Sequence, residues 1–254
     1  MIKFFRRIRQ QLLAEGNTGK YIKYAIGEII LVVIGILIAL QINNQNELRK
    51  EQGITNKYLQ GFVDDLTADR LLLDTLIYVR NKQHVCAETL IKSVERKEIH
   101  LDSFYNNYYY LFPFYKFSPS TNTLEEVLNS SQLRLITDEN IKTKLLELRN
   151  LYSRIKVGEE HVYEDRAVYL YNHRTLDHIE FNGLYLNAEK KSFLKSKDIE
   201  QYKKDAKYFM NDRHFKNFMI LLKFNLDYQI PILVEARKEC NLIIELINAK
   251  LKDD

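Results

Sequence analysis

The chain has 254 residues, 46% of them hydrophobic, and is long enough to bury a sizeable core. Its net charge of +4 comes from the N-terminus, where residues 1–23 hold six basic side chains and one acidic side chain. A basic arm beside an otherwise balanced chain is typical of a membrane topology signal, whereas a phosphate-binding domain would carry the excess itself. We therefore expect a lipid bilayer, and no nucleic acid, as a partner.

The first predicted region is a basic cytoplasmic arm, residues 1–23. Within it, Phe5, Ile8 and Leu12 share one helical face while the arginines lie elsewhere. Such a stretch can lie in the lipid headgroup layer with its cations facing anionic lipid. A frayed cytoplasmic tail is the alternative interpretation.

Residues 24–42, YAIGEIILVVIGILIALQI, are predicted to form a transmembrane helix. A helix of this length spans roughly 28 Å, close to the hydrocarbon thickness of a bilayer. A buried core helix would need a polar face, which the run lacks, and no small-x-small cleavage site for a signal peptide follows it. By the positive-inside rule the arm stays in the cytoplasm and the rest of the chain is exported.

One side of the predicted span carries Glu28, Gly35 and Ala39. Gly35 and Ala39 form a small-xxx-small pair, which lets two helices approach closely and favours self-association. A carboxylate inside a span is costly, so Glu28 indicates a structural or oligomeric role, pairing with Lys20 or Lys23, or proton handling. These interpretations remain open.

The helical pattern continues past the span without a Pro or Gly-rich linker, so we expect the membrane helix to extend into residues 43–254 as the first helix of a periplasmic bundle domain. Three-four spacing predicts its buried face, with Asp69 as a polar interruption. The apolar positions of that face are Leu59, Phe62, Leu66, Leu73 and Leu76.

An aromatic segment follows, with nine rings in the fourteen residues 104–117. It is interpreted as an exposed recognition patch, as a belt resting on the membrane surface, or as a connection that buries its rings against the bundle. The candidate patch residues are Tyr108, Tyr109, Tyr110, Phe112, Phe114 and Tyr115.

Later helices complete the predicted architecture. A capping box at Thr123 and Glu126 opens a short helix, and Asp138 or Thr137 caps a long helix that reaches about His178. The last helix has coiled-coil-like spacing of three and four, interrupted by Gln229, and Pro231 is expected to kink it. The fold class is all-α, with an antiparallel bundle of about four helices after the transmembrane helix. The apolar positions of the last helix are Leu222, Leu226, Leu233, Ala236, Cys240, Ile243 and Ile247.

No catalytic, cofactor-binding or metal-binding signature is found, since phosphate loops, nucleophile elbows, zincin motifs and C-x-x-C are absent from the sequence. One acidic and histidine-containing stretch resembles a metal site, but it lacks the E-x-x-H spacing of di-iron bundles and is interpreted as a solvated charged face. Its members are Glu160, His161, Glu164, Asp165, His173, Asp177 and His178.

The two cysteines, Cys86 and Cys240, fall on the first and last long helices. In an oxidising compartment a disulfide between them would close a long loop and stabilise the domain. The alternative is that both are small buried apolar residues.

Two blocks of the sequence resemble an uncharacterised single-span inner-membrane family of Bacteroidota, a domain of unknown function. They are FFRRIRQ…YAIGEIILVVIGILIALQINNQNE and TLEEVLNSSQLRLITDENIKTKLLELRNLY. The chain departs from that family at Gln45, where a Trp is expected. The resemblance implies an inner-membrane anchor and a periplasmic helical domain, without a reaction or a ligand.

The sequence therefore predicts a non-enzymatic scaffold or interaction module of the inner membrane, acting as a homo-oligomer or with a membrane protein partner. A periplasmic bundle that senses a ligand through a membrane partner is an alternative. A component of a proton-driven membrane complex that uses Glu28 is another.

Overall fold

A computed structural model describes residues 18–253, except for the side chains of Tyr21, His173, Arg174 and Asp253. Over this range the chain is helical and contains no strand. Most of the predicted basic arm, residues 1–17, lies outside the described residues. The helices are α1 (Thr18–Arg96), α2 (Leu101–Tyr109), α3 (Asn122–Asn129), α4 (Glu139–Leu170), α5 (His173–Leu176), α6 (Asn182–Ala188), α7 (Ile199–Asn211) and α8 (Arg213–Asp253), with 3₁₀ turns at Gln132–Leu135 and Phe193–Lys195.

The chain divides into two compact units, Met1–Lys57 and Tyr58–Asp254. In the first unit, the described part of α1 contains an apolar window with a mean hydropathy of 2.6, none of which is buried. This is the one helix among residues 18–253 that is long and apolar enough to cross a membrane. A stretch of this length with exposed apolar side chains is what a hydrocarbon environment requires.

In the second unit, the part of α1 that begins at Tyr58 packs antiparallel to α8. His84 Nε2 lies 2.8 Å from Asp227 Oδ1, and Arg237 Nη1 lies 2.8 Å from Asp74 Oδ1. Moving forward along α1 therefore moves backward along α8. The antiparallel arrangement that the sequence predicted is present in this pair.

Helices α4 and α8 are also antiparallel, because Lys144 contacts Glu239 at 3.2 Å while Asn225 donates to Asp165 at 2.6 Å. The long helices thus form the frame of the second unit. The predicted apolar positions of α1 and α8 face its interior, where apolar burial stabilises the fold.

The core of this unit has two clusters. The aliphatic cluster contains the predicted α1 stripe up to Leu76, the first half of α4 and the second half of α8. The aromatic cluster contains the remaining parts of these helices together with α2, α7 and the 3₁₀ turn at Phe193–Lys195. The rings of the aromatic cluster are Phe104, Tyr105, Tyr108, Tyr109, Tyr169, Phe193, Tyr202, Phe209, Phe215 and Phe218.

The helix termini confirm one predicted cap and correct another. Asp138 caps α4, since its side chain accepts from the backbone N–H groups of Asn140 and Ile141. Helix α3 begins at Asn122, and the N–H of Thr123 donates to Asp65 on α1 at 3.0 Å, so a distant carboxylate serves that terminus instead of the predicted capping box. Helix α4 ends at Leu170, earlier than expected.

Candidate functional site

Buried polar side chains occupy the junction between the two clusters. On α1, Arg80 and Gln83 follow the last aliphatic position; on α4, Glu159 and Arg166 come after Ile155. Each of these four side chains is buried. A buried charge is costly unless it is paired and hydrogen-bonded, so these residues, called the polar layer below, must have specific partners.

The polar layer binds the backbone of the connecting segment, residues 110–121, which links α2 to α3. Arg80 Nη2 donates to the carbonyl oxygen of Tyr115 at 2.7 Å, and Gln83 Nε2 donates to that of Pro113 at 2.8 Å. This segment has no regular secondary structure from 113 to 121, and its buried backbone groups need side-chain partners. The polar layer supplies them.

Glu159 forms the anionic part of the polar layer. Its two carboxylate oxygens accept from the N–H of Phe117 at 3.1 and 2.9 Å, and Oε1 lies 3.4 Å from Arg80 Nη2. Burial raises the pKa of the Glu159 carboxyl and lowers the pKa of the Arg80 guanidinium. The mutual attraction and the backbone hydrogen bonds offset this desolvation.

Phe114 lies between two guanidinium groups. Arg80 Cζ is 4.3 Å from the ring centroid and Arg166 Cζ is 5.0 Å from it. Arg166 also donates to the carbonyl oxygen of Phe112, and burial lowers its pKa to about 10. These cation–π contacts fix the ring of the connecting segment inside the domain.

The proposed exposed recognition patch therefore needs correction. Tyr108 and Tyr109 are buried in the aromatic cluster, and Tyr110, Phe112 and Phe114 are partly buried. Of the six candidate residues only Tyr115 is exposed. The rings are buried because they are the main apolar content of this half of the core, which is the alternative of a packed connection.

Beneath the connecting segment, the second unit contains a cavity of approximately 450 Å³. The segment contributes one side of it, while α1, α3 and α4 contribute the others. Its size lies within the range of small-molecule sites, and its lining combines apolar side chains with a few polar groups. The principal apolar lining residues are Phe62, Leu66, Phe117, Leu124, Leu145 and Leu148.

A buried hydrogen-bonded chain reaches the cavity through Tyr152. Its hydroxyl donates to Asp69 Oδ2 at 2.7 Å and lies 3.3 Å from Cys240 Sγ. Because the phenolic proton is used on Asp69, the thiol of Cys240 donates to the Tyr152 oxygen. Burial raises the pKa of Tyr152 and raises that of Cys240 to about 11, so neither group is an activated nucleophile.

Carboxylates hold the connecting segment and the start of α3 over the cavity. Asp69 Oδ1 accepts from the N–H of Ser120 at 2.7 Å, in addition to the Asp65 and Glu159 contacts described above. Three of the five carboxylates that line the cavity thus accept from backbone donors of the protein itself. Hydrogen bonds of this charge-assisted kind are stronger than neutral ones.

The cysteine prediction is also corrected in favour of its alternative. Cys86 and Cys240 are free and buried, and they belong to different clusters of the core. Each behaves as a small apolar residue. The possible disulfide between them is not formed.

The acidic and histidine-containing stretch contains no group of three metal-ligating residues within the described part of the chain. The carboxylate of Asp165 accepts a hydrogen bond from Asn225 on α8. The ring of His178 stacks on that of Tyr208, with centroids 3.5 Å apart. The side chain of His173 lies outside the described residues. Asp165 and His178 therefore face different neighbours.

In the first unit, Gly35 and Ala39 are exposed and Glu28 is partly exposed. A Cβ added at Gly35 would meet no atom within 4 Å, so the helix surface is open there. No residue described between 18 and 57 covers Gly35. The role of these residues in helix association stays a prediction.

Sequence reasoning missed Arg80, Gln83 and Arg166, although a signal was present. Arg80 and Gln83 continue the apolar stripe of α1 at the same spacing of three and four residues. Polar residues at core positions indicate either an error of assignment or a buried network. Comparison with models of protein families, with curated proteins and with solved structures found no match for the chain.

Proposed function

We propose that the protein is a non-enzymatic, membrane-anchored binding protein whose helical domain takes a small ligand in the cavity beneath the connecting segment. The cavity is the observation that carries this proposal, since a ligand-sensing bundle requires a space for its ligand and this domain contains one between α1, α3, α4 and the connecting segment. The thiol and phenol nearest the cavity have raised pKa values, which supports binding over nucleophilic chemistry.

The apolar stretch 24–42 is proposed as the anchor, in a bacterial inner membrane. The six cations of residues 1–23 support a cytoplasmic N-terminus and a periplasmic domain. A reporter enzyme that is active only in the periplasm, fused after Asp254, should be active. A cytosolic C-terminus would contradict this topology and remove the compartment on which the sensing role depends.

A membrane-anchored domain of this kind would pass its ligand state to a partner within the membrane. The side of the span that carries Glu28, Gly35 and Ala39 is the proposed contact for that partner or for a second copy. Gly35→Leu would block close approach of two helices. Its effect on partner crosslinking in native membranes, measured against Val33→Leu, tests the contact.

Ligand binding is tested by native mass spectrometry of the full chain released from nanodiscs. Ser153→Trp places an indole at the mouth of the cavity, and Asn150→Trp, one turn away on α4 and not lining the cavity, is the matched control. We expect a small-molecule adduct on the wild type and on Asn150→Trp, and none on Ser153→Trp. A wild-type domain that is folded and never carries an adduct would contradict the proposal.

Scaffolding without a ligand is the second candidate. Three large apolar side chains are more than half exposed: Val168 on α4, and Phe224 and Tyr228 on α8. Exposed apolar side chains of this kind are typical of surfaces that bind another protein. Crosslinking in native membranes that yields only monomers would count against it. If the protein is instead a component of a proton-driven membrane complex that uses Glu28, Glu28→Gln should alter the cellular phenotype. An unchanged phenotype would exclude that role.

A further inference from the structure

We infer that the cavity takes a small organic anion with a flat or compact apolar body, an inference that rests on the proposed ligand-binding function. Two separate properties of the lining lead to it. One is the apolar interior. The other is that most of the cavity's acidic side chains accept hydrogen bonds within the domain, whereas its basic side chains form no ion pair among the described residues.

The interior offers apolar contact on several sides. Phe62 and Leu66 from α1, Leu145 and Leu148 from α4, and Phe117 from the connecting segment line it. The ring of Phe117 is fixed by an edge contact with Tyr152, with centroids 4.9 Å apart. Burying an apolar body against these groups supplies the non-specific part of the binding free energy.

Four of the five acidic side chains of the lining have partners within the domain, and the fifth, Glu160, is exposed. Asp69 accepts hydrogen bonds on both oxygens, Glu159 accepts from Phe117 N–H and faces Arg80, and Asp65 accepts from Thr123 N–H. Glu125 accepts from the hydroxyl of Thr121 at 3.0 Å. Their charges hold the connecting segment, and a ligand that displaced them would have to break these bonds.

The basic side chains are available. Lys116, Arg149 and Lys156 line the cavity and are exposed, and none of them forms an ion pair with a side chain described between residues 18 and 253. Lys116 lies over the ring of Tyr163 at 4.4 Å. The exposed charged groups of the lining without an ion-pair or hydrogen-bond partner among the described side chains are therefore three cations and one carboxylate, that of Glu160.

The spacing of these cations suits one acidic head group. Arg149 and Lys156 are seven residues apart, two turns of α4, and Ser153 lies between them on the same face. All three side chains line the cavity. A carboxylate, sulfonate or phosphate at the mouth can accept from the Arg149 guanidinium or the Lys156 ammonium while its apolar body enters the interior.

The test compares two soluble probes that share a body and differ in charge, naphthalene-2-sulfonate and 2-naphthylmethylammonium. Equilibrium dialysis uses the full chain in nanodiscs of zwitterionic lipid, with empty nanodiscs as the blank. We expect the sulfonate to bind at least about tenfold more tightly, and its affinity to fall as the salt concentration rises.

The variant Arg149→Gln with Lys156→Gln should weaken sulfonate binding about tenfold and leave ammonium binding unchanged or stronger. The matched control, Lys204→Gln with Lys238→Gln, removes the same charge from exposed positions outside the cavity and should leave both affinities unchanged. Tm values of the wild type, the two double variants and Ser153→Trp establish that each protein is folded.

The outcomes separate this inference from the proposed function. Equal or tighter binding of the ammonium, blocked by Ser153→Trp, would overturn the anion inference and leave a ligand-binding cavity in place. Sulfonate binding that both double variants weaken equally would show attraction by net charge and would also overturn it. Binding of neither probe to the folded wild type would overturn the inference and the ligand-binding proposal together.

Discussion

The aliphatic and aromatic clusters of the second unit are built in different ways. The aliphatic cluster consists mainly of Leu and Ile from the long helices, with Tyr58 and Phe62 as its aromatic members. The aromatic cluster contains ten rings and draws on short helices and turns between residues 101 and 215. One half of the core therefore depends on helical periodicity, and the other on segments distant in sequence.

Directional contacts are concentrated in the aromatic cluster. The ring of Tyr105 stacks on Phe193 with centroids 4.9 Å apart, and its hydroxyl donates to the carbonyl oxygen of Tyr202 at 2.8 Å. Tyr169 and Phe218 stack at 4.4 Å. Aromatic pairs of this kind add to the stabilisation from buried area and also fix relative orientation. Aliphatic side chains pack without such directional constraints.

The polar layer at the junction should be the most sensitive part of the domain. Arg80→Ala leaves Glu159 buried without its ion pair and removes a donor to the connecting segment, and we expect a loss of about 3–5 kcal/mol in the free energy of unfolding. Urea denaturation of the full chain in nanodiscs, followed by circular dichroism, measures it.

Two controls sharpen this prediction. Arg154 and Glu235 form an ion pair at 3.9 Å whose side chains are about half exposed, so Arg154→Ala should cost only about 0–1 kcal/mol. The double variant Arg80→Met with Glu159→Gln removes both charges and should be more stable than Arg80→Ala. If Arg80→Ala lowers the free energy of unfolding no more than Arg154→Ala does, the polar layer does not contribute the predicted stability.

The aromatic cluster should tolerate less added volume than the exposed surface. Gly183 lies in the first turn of α6, directly against Tyr109. A Cβ at this position would overlap the tyrosine ring, whose hydroxyl donates to the carbonyl oxygen of Glu180. We expect Gly183→Ala to destabilise the domain by about 1–3 kcal/mol. Thermal unfolding measures it, and Gly53→Ala, where a Cβ meets nothing within 4 Å, should cause no loss.

The aliphatic cluster could be predicted from the sequence because its positions repeat every three or four residues on long helices. Every predicted apolar position of this cluster, from Leu59 to Leu76 on α1 and from Leu233 to Ile247 on α8, is buried. Residue spacing on a helix determines which side chains share a face, and apolar faces are buried. The position of Asp138 as a cap followed from equally local rules.

The aromatic cluster and the cavity could not be predicted in the same way. The composition of residues 104–117 identified an unusual segment, but whether its rings face solvent depends on contacts with residues such as Phe193 and Tyr202, about a hundred positions away. The cavity depends likewise on the path of the connecting segment across α1 and α4. Local pattern rules carry no information about contacts at such separations.

Two hydroxyl deletions in the aromatic cluster should have opposite signs. Among the described residues the hydroxyl of Tyr108 is buried without a hydrogen-bond partner, whereas that of Tyr105 donates to Tyr202. Tyr108→Phe removes an unsatisfied group and should stabilise the domain by about 1 kcal/mol, while Tyr105→Phe should destabilise it by about the same amount. Urea denaturation of both variants measures the pair. Two losses of equal size would contradict the assigned hydroxyl environments.

The smallest expected effect is the pH dependence of stability that Asp69 contributes in the aliphatic half of the core. Burial raises the pKa of Asp69 above its usual value of 3.8, although its hydrogen bonds to Ser120 and Tyr152 oppose the shift. A carboxyl with a raised pKa binds its proton more tightly in the folded state, so its contribution to stability is lost as the pH rises through the range above 3.8. Asp69→Asn cannot lose a proton. The unfolding free energy of wild type minus that of Asp69→Asn should therefore fall between pH 4 and neutral pH, and a difference that rises with pH would show that the backbone and phenol donors dominate over burial.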